Sequence, residues 1–128
     1  MAAPAAPCHD PCVPRVLIVD DHATFRATAR QLLEAEGFDV VGEAEDGTSA
    51  LECVARLKPD VVLLDVQLPD MNGFEVTAAL QSNGARPDVV LTSSRDVSEF
   101  GDLVHTCGSR GFIPKAELSG GRLAALLE

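Results

Sequence analysis

Three aspartates stand where apolar runs give out. "RVLIVDD" (15–21) ends on Asp20 and Asp21, and "DVVLLDV" (60–66) carries Asp65 near its end. Apolar runs of this length read as buried strands, and an unpaired carboxylate is costly inside a core. At the carboxyl end of a strand, an acid escapes that cost by facing a cleft. If the two strands are neighbours, the three carboxylates converge and repel one another, so a cation belongs among them. Mg2+ fits such a set, because it takes oxygen ligands and keeps several waters beside one or two carboxylates. Two more groups stand at later strand ends. Ser93 lies in "DVVLTSS" (88–94), and Lys115 closes "RGFIPK" (110–115). An ammonium there could pair with Asp65 or with a phosphoryl oxygen, and a hydroxyl could donate to that oxygen. Taken singly, these are a surface lysine and a loop serine. Taken together, they place a cation, a hydroxyl and three acids at one sheet edge.

The elements that must position them alternate along the chain. Strand patterns over 15–21, 38–46, 60–66, 88–94 and 110–115 are separated by helical ones. The first helix, "ATFRATARQLLEAEG", puts Phe25, Ala29, Leu32, Leu33 and Glu36 on one face and ends at Gly37. "GTSALECVARLK" is a helix with Thr48 or Ser49 near its start and Pro59 as its stop. "FEVTAALQS" follows the third strand and closes at Asn83-Gly84. "DVSEFGDLVHTC" (96–107) is a helix weakened by Gly101, and "SGGRLAALLE" is a last helix that Ser119 could cap. Five strands alternating with helices, with continuous aliphatic runs, predict an α/β fold: a doubly wound five-stranded parallel sheet covered on both faces. In the common order 2-1-3-4-5, ligands bind beyond the carboxyl ends of the strands, where Asp20, Asp21 and Asp65 would meet.

A length of 128 residues fits one domain, and a hydrophobic content of 46% supplies a core built mainly of aliphatics. The net charge of −10 argues against direct binding to a phosphate backbone. No run approaches the length of a membrane span, and the N-terminus lacks a secretion signal, so the expected compartment is the cytoplasm. Residues 1–14, rich in Ala and Pro, predict a disordered leader. Cys8, His9 and Cys12 within it are three metal-capable residues at a spacing unsuited to zinc, so a solvated tail is the expectation. Cys53 and Cys107 fall in helical patterns and read as small core fillers.

"VLIVDDH", "LLDVQLPDMNG", "VVLTSS" and "GFIPK" occur in an order and at separations that resemble the receiver domain of the response regulators of two-component signalling, from Arg15 to the C-terminus. The resemblance implies a flavodoxin-like receiver fold over 15–128, with no output domain after it. It implies Asp65 as phospho-acceptor, and Mg2+ held by Asp20, Asp21, Asp65 and the backbone carbonyl of Gln67, with Asp21 the more direct of the acid pair. It also implies Ser93 as switch hydroxyl, Lys115 as phosphate-binding cation and Phe112 as aromatic switch; a one-residue slip would choose Thr92 or Ser94 instead of Ser93. Gln67 and Arg95 would set how readily water attacks the acyl phosphate, although Arg95 reads equally well as a solvated residue at a helix entry. Such a domain is not an independent enzyme: it accepts a phosphoryl group from a sensor histidine kinase. It then changes the face made by the helix over 96–107, the fifth strand and the last helix to control a downstream protein.

Two features depart from the commoner pattern: Pro114 precedes Lys115 and Ala116 follows it, and Phe112 replaces a tyrosine. His22 after the acid pair resembles the branch that usually carries a helix-turn-helix output. The alternatives are a phosphorylation-independent pseudo-receiver that only binds, and a phosphoryl-relay intermediate. A phosphatase of the haloacid dehalogenase type needs a second Asp where Gln67 stands. A flavin binder needs a phosphate-cradling loop, whereas "DDHATF" is acidic and lacks glycine. The oligomeric state stays open.

Overall fold

The computed structural model describes residues 13–82, 87–94 and 109–127. The leader with Cys8, His9 and Cys12, the turn Asn83-Gly84, Arg95, the expected helix over 96–107 with Gly101, and Cys107 lie outside the described residues. In chain order the elements are β1 (Arg15–Val19), α1 (Ala23–Ala35), β2 (Asp39–Ala44), α2 (Gly47–Leu57), β3 (Val61–Asp65), α3 (Gly73–Ser82), β4 (Asp88–Ser93), β5 (Gly111–Pro114) and α4 (Gly120–Leu127), with one 3-10 turn over Lys115–Glu117. The strands form a single sheet in the order β2-β1-β3-β4-β5, every neighbouring pair parallel.

The aliphatic runs read as strands because both faces of this sheet are covered. Side chains alternate across it. Leu17, Val19, Val62, Leu64, Val89 and Leu91 face one layer, where Ala50, Cys53 and Val54 of α2 and Val76 and Leu80 of α3 pack. Val16, Ile18, Val61, Leu63, Val90 and Ile113 face the other, against Ala29 and Leu33 of α1 and Leu123 of α4. Among the described residues, no helix is long and apolar enough to cross a membrane.

Local signals explain the ends of the elements. Gly37 adopts φ 94 after α1, a left-handed conformation that favours glycine. The Arg122 backbone N–H donates to Ser119 Oγ at 3.1 Å, capping α4 as expected. Thr48 and Ser49 stand in the first turn of α2 as expected, behind an Asp46 cap whose carboxylate accepts from the Ser49 backbone N–H at 2.7 Å, with Ser49 closing a capping box. One expectation is corrected. On α1, Ala29 and Leu33 take the buried face, whereas Leu32 is 40% exposed and Glu36 lies beyond the helix end. Adjacent residues diverge by about 100° around a helix, so Leu32 and Leu33 cannot both point inward. The strands are also shorter than expected, because β2 stops at Ala44 and β3 at Asp65.

Candidate functional site

The carboxyl ends of β1, β3, β4 and β5 share one edge, and that edge carries the chemistry. Val19 of β1 pairs with Leu64 of β3, so Asp20 and Asp65 come level one step further on. Both are buried: Asp20 is 0% exposed and Asp65 3%. Asp21 and His22 turn outward at the start of α1. Carboxylate oxygens of Asp20, Asp21 and Asp65 and a ring nitrogen of His22 lie within 4.8 Å of one another.

Lys115 is the cation among them. Its Nζ lies 2.5 Å from Asp20 Oδ2 and 3.1 Å from Asp65 Oδ2, where it donates a hydrogen bond. The contact with Asp20 is the shorter of the two, a close charge-assisted pair. The same ammonium stands 4.7 Å from the centroid of the Phe25 ring on α1. The other oxygens have their own donors. Asp65 Oδ1 accepts from the Gln67 backbone N–H at 3.0 Å, and Asp20 Oδ1 accepts from the His22 backbone N–H at 2.7 Å.

Burial pushes the Asp65 carboxyl above the ordinary aspartate range, and the Gln67 N–H and the Lys115 ammonium only partly offset that. Burial works the other way on Lys115, but its contacts with Asp20 and Asp65 outweigh it and hold the ammonium charged more firmly than usual. The result is a desolvated carboxylate with an appetite for positive charge, beside a single ammonium shared between two acids. The donor set fits a hard divalent cation. Its carboxylates supply oxygen ligands within 4.8 Å of one another, and a single lysine does not neutralise the acids.

The loop after β3 is folded tightly around Asp65. The Gly73 N–H donates to Val66 O at 2.7 Å, and Gln67 and Asn72 form an isolated bridge across the loop. A Cβ on Gly73 would stand 2.9 Å from the Asp65 carbonyl oxygen, so the close approach requires glycine there. Asn72 and Glu75 reciprocally cap α3, at 2.9 and 2.8 Å. Asp70 reaches out of the loop to the start of α2. It accepts from the backbone N–H of Gly47 at 2.7 Å and of Thr48 at 3.0 Å, and from Thr48 Oγ1 at 2.8 Å. Those donors hold its carboxyl down to about 2. The loop after β3 is thereby tied to a second element.

On β4, Thr92 is the register partner of Asp65, and its buried Oγ1 has no hydrogen-bond partner among the described residues. Ser93, also buried, lies one step nearer the edge, in register with Pro114, the residue before Lys115. Alternation puts the Ser93 side chain on the α2–α3 face with Leu91. Phe112 pairs with Leu91 in register and packs against that same layer. Thus Asp20, Asp21, Asp65 and Lys115 are brought together, and Ser93 and Phe112 share the opposite face beside them. Gln67 is exposed on the loop above Asp65.

Sequence reasoning missed three participants. The sequence marks Phe25 only as an apolar residue on the face of a helix. It marks His22 only by the branch of the family it resembles, not by its ring nitrogen. Asp70 carried no signal beyond an acid in a turn, because its partners lie more than twenty residues upstream on another element.

Residues 16–127 match the family model of the response regulator receiver domain. The chain is 38% identical over 103 residues to the transcription regulator BvgA of Bordetella pertussis, covering 80% of this chain and 49% of that protein. It is 36% identical over 120 residues to the transcriptional regulatory protein PdtaR of Mycobacterium tuberculosis, covering 86% of this chain and 58% of that protein. The chain spans about half the length of the curated relatives it matches. Among solved structures, the signal receiver domain of NarL from Mycobacterium tuberculosis superposes with a TM-score of 0.80 at 34% identity, covering 90% of this chain and 97% of that one.

Proposed function

Because this chain belongs to the response regulator receiver family, we propose that it is a phosphorylation-driven signalling switch with Asp65 as the acceptor. One observation carries this reading: Asp65 is buried at a strand's end, its carboxyl raised by desolvation, with one oxygen fixed by Gln67 and the other by Lys115. A fixed, desolvated carboxylate is a prepared nucleophile. In the proposed step, an Asp65 oxygen attacks the phosphorus of a phosphohistidine on a sensor kinase. The new P–O bond forms as the P–N bond breaks, and the imidazole nitrogen keeps that electron pair.

Asp20, Asp21, Asp65 and the Gln67 carbonyl are the proposed holders of Mg2+. When bound, the ion offsets negative charge on the acceptor and on the transferred group. Lys115 moves its ammonium to a phosphoryl oxygen, and the Ser93 hydroxyl donates to another. Drawing Ser93 inward opens space along the face it shares with Phe112, and the ring follows. That motion would carry the signal toward β5 and α4, and so to a downstream protein. In this scheme Gln67 and Arg95 set how readily water attacks the acyl phosphate. The receiver unit is proposed as residues 15–128, working in the cytoplasm on protein partners and not on nucleic acid.

The experiment is incubation with acetyl phosphate and Mg2+. The protein should gain one hydroxylamine-labile phosphoryl group, and Asp65→Asn should gain none. No uptake by the parent protein, with the fold intact, would replace this reading with that of a phosphorylation-independent binding module.

A further inference from the structure

The Lys115 ammonium is held in a resting position by more than carboxylates. It starts from the end of β5, at the far side of the sheet from β1. It nevertheless reaches past Asp65 to contact Asp20, the residue just after β1, and it lies 4.7 Å from the centroid of Phe25. Phe25 belongs to the first turns of α1, the helix that follows β1 directly. The ring therefore draws the ammonium toward the β1 side of the site and away from the β4 side, where Ser93 lies. The ring's negative face attracts a cation, and more so when both are partly shielded from water. Lys115 is only 15% exposed at its side chain, and Phe25 is half-buried.

We propose that Phe25 is a positioning residue that parks the Lys115 ammonium on Asp20 in the resting state. This role rests on the phospho-acceptor reading above and extends it. While parked, the ammonium is held on the Asp20 carboxylate, one of the acids that a divalent cation at this cluster would also use. Phe25 thus favours the ammonium in a competition between two cations for one carboxylate. It raises the Mg2+ concentration at which the site loads, and it opposes transfer of Lys115 to a phosphoryl oxygen. A leucine would fill similar apolar space without the ring's quadrupole. A tyrosine or tryptophan would keep it.

The test is a Mg2+ titration of the unphosphorylated protein followed by amide NMR, for the parent, Phe25→Leu and Phe25→Tyr. Loss of a cation–π contact of ordinary strength changes the competition by about two- to fivefold. Phe25→Leu should therefore bind Mg2+ tighter by about that factor, and Phe25→Tyr should match the parent. A purely packing role would move affinity the other way, since a loosened site holds metal less well. The ε-methylene protons of Lys115 provide a second readout. Under a ring face they are shifted upfield, and Phe25→Leu should return them to ordinary lysine values. A Phe25→Leu protein that binds Mg2+ as the parent does, or more weakly, overturns the parking role, as does a Lys115 signal unmoved between the two. If the parent binds no Mg2+ at all, the proposed metal site fails instead, and the Lys115 signal alone decides the ring contact.

Discussion

Replacing Lys115 with methionine should expose how much of this fold's stability hangs on one ammonium. The side chain is 15% exposed and touches two acids, Asp20 at 2.5 Å and Asp65 at 3.1 Å, that are 0% and 4% exposed at their side chains. Methionine keeps the aliphatic stem and removes the charge. Two buried carboxylates are then left facing one another. Removing one partner of a buried ion pair costs about 3–5 kcal/mol. The lower end applies here, because the site opens at the sheet edge and water can relax toward it. The loss should depend on pH. Asp65 is already pushed above its ordinary range by burial, and Lys115 is one of the groups that pulls it back. Without the lysine its folded pKa rises further above the unfolded value. The penalty is therefore full at neutral pH, where the ionised form is forced on the fold. It shrinks as pH falls through the raised pKa and Asp65 takes up a proton. Mg2+ should restore much of the loss, because a cation bound only by the folded state stabilises it by about 2.7 kcal/mol at a hundredfold excess over Kd. The assay is urea unfolding followed by far-UV circular dichroism, since the chain has no Trp or Tyr to report by fluorescence. A Lys115→Met protein as stable as its parent at pH 7 without divalent ions would refute the reasoning.

Three other perturbations probe separate parts of the account. Asp70→Ala should lower the midpoint of thermal unfolding at neutral pH. Because its carboxyl is held at about 2, below the unfolded value, the parent's advantage should be complete above the ordinary aspartate pKa and vanish as pH falls through about 2, read as the difference in midpoint across an acid series. Gly73→Ala should destabilise by about 1–3 kcal/mol, since its Cβ would meet the Asp65 carbonyl at 2.9 Å; unfolding curves superposable on the parent's would contradict the tight loop. Phe112→Ala should leave acetyl phosphate uptake at Asp65 intact and shrink the amide shifts that beryllofluoride induces in residues 109–117, because the ring that follows Ser93 is gone; parent-sized shifts would remove Phe112 from the switch.

How much of this was legible in the sequence depends on whether a residue's role is local. Asp20 and Asp65 end aliphatic runs, and a doubly wound sheet can only bring such ends to one edge, so their meeting followed from strand pattern and strand order. Lys115 followed for the same reason. The choice of Ser93 over Thr92 rested on counting along the chain. The structure leaves both buried near Asp65, Thr92 in register with it and Ser93 a step nearer the edge. What escaped were contacts fixed by how elements pack. Phe25 reads as one more apolar residue at helical spacing, and its stand over an ammonium from β5 depends on the angle at which α1 leaves β1. Asp70 reads as turn chemistry until the start of α2 is placed beside its loop. Leu32 and Leu33 were equal candidates for the core, and the rotation of α1 decided between them.

The central claim is that Asp65 itself takes the phosphoryl group. Borohydride reduces an aspartyl phosphate to homoserine, so treating the acetyl phosphate-loaded protein and sequencing its peptides by mass spectrometry reads the acceptor directly. Homoserine is expected at position 65 and unmodified aspartate at positions 20, 21 and 70. Homoserine at any of those three, with Asp65 intact in a protein that has taken up phosphate, would contradict it.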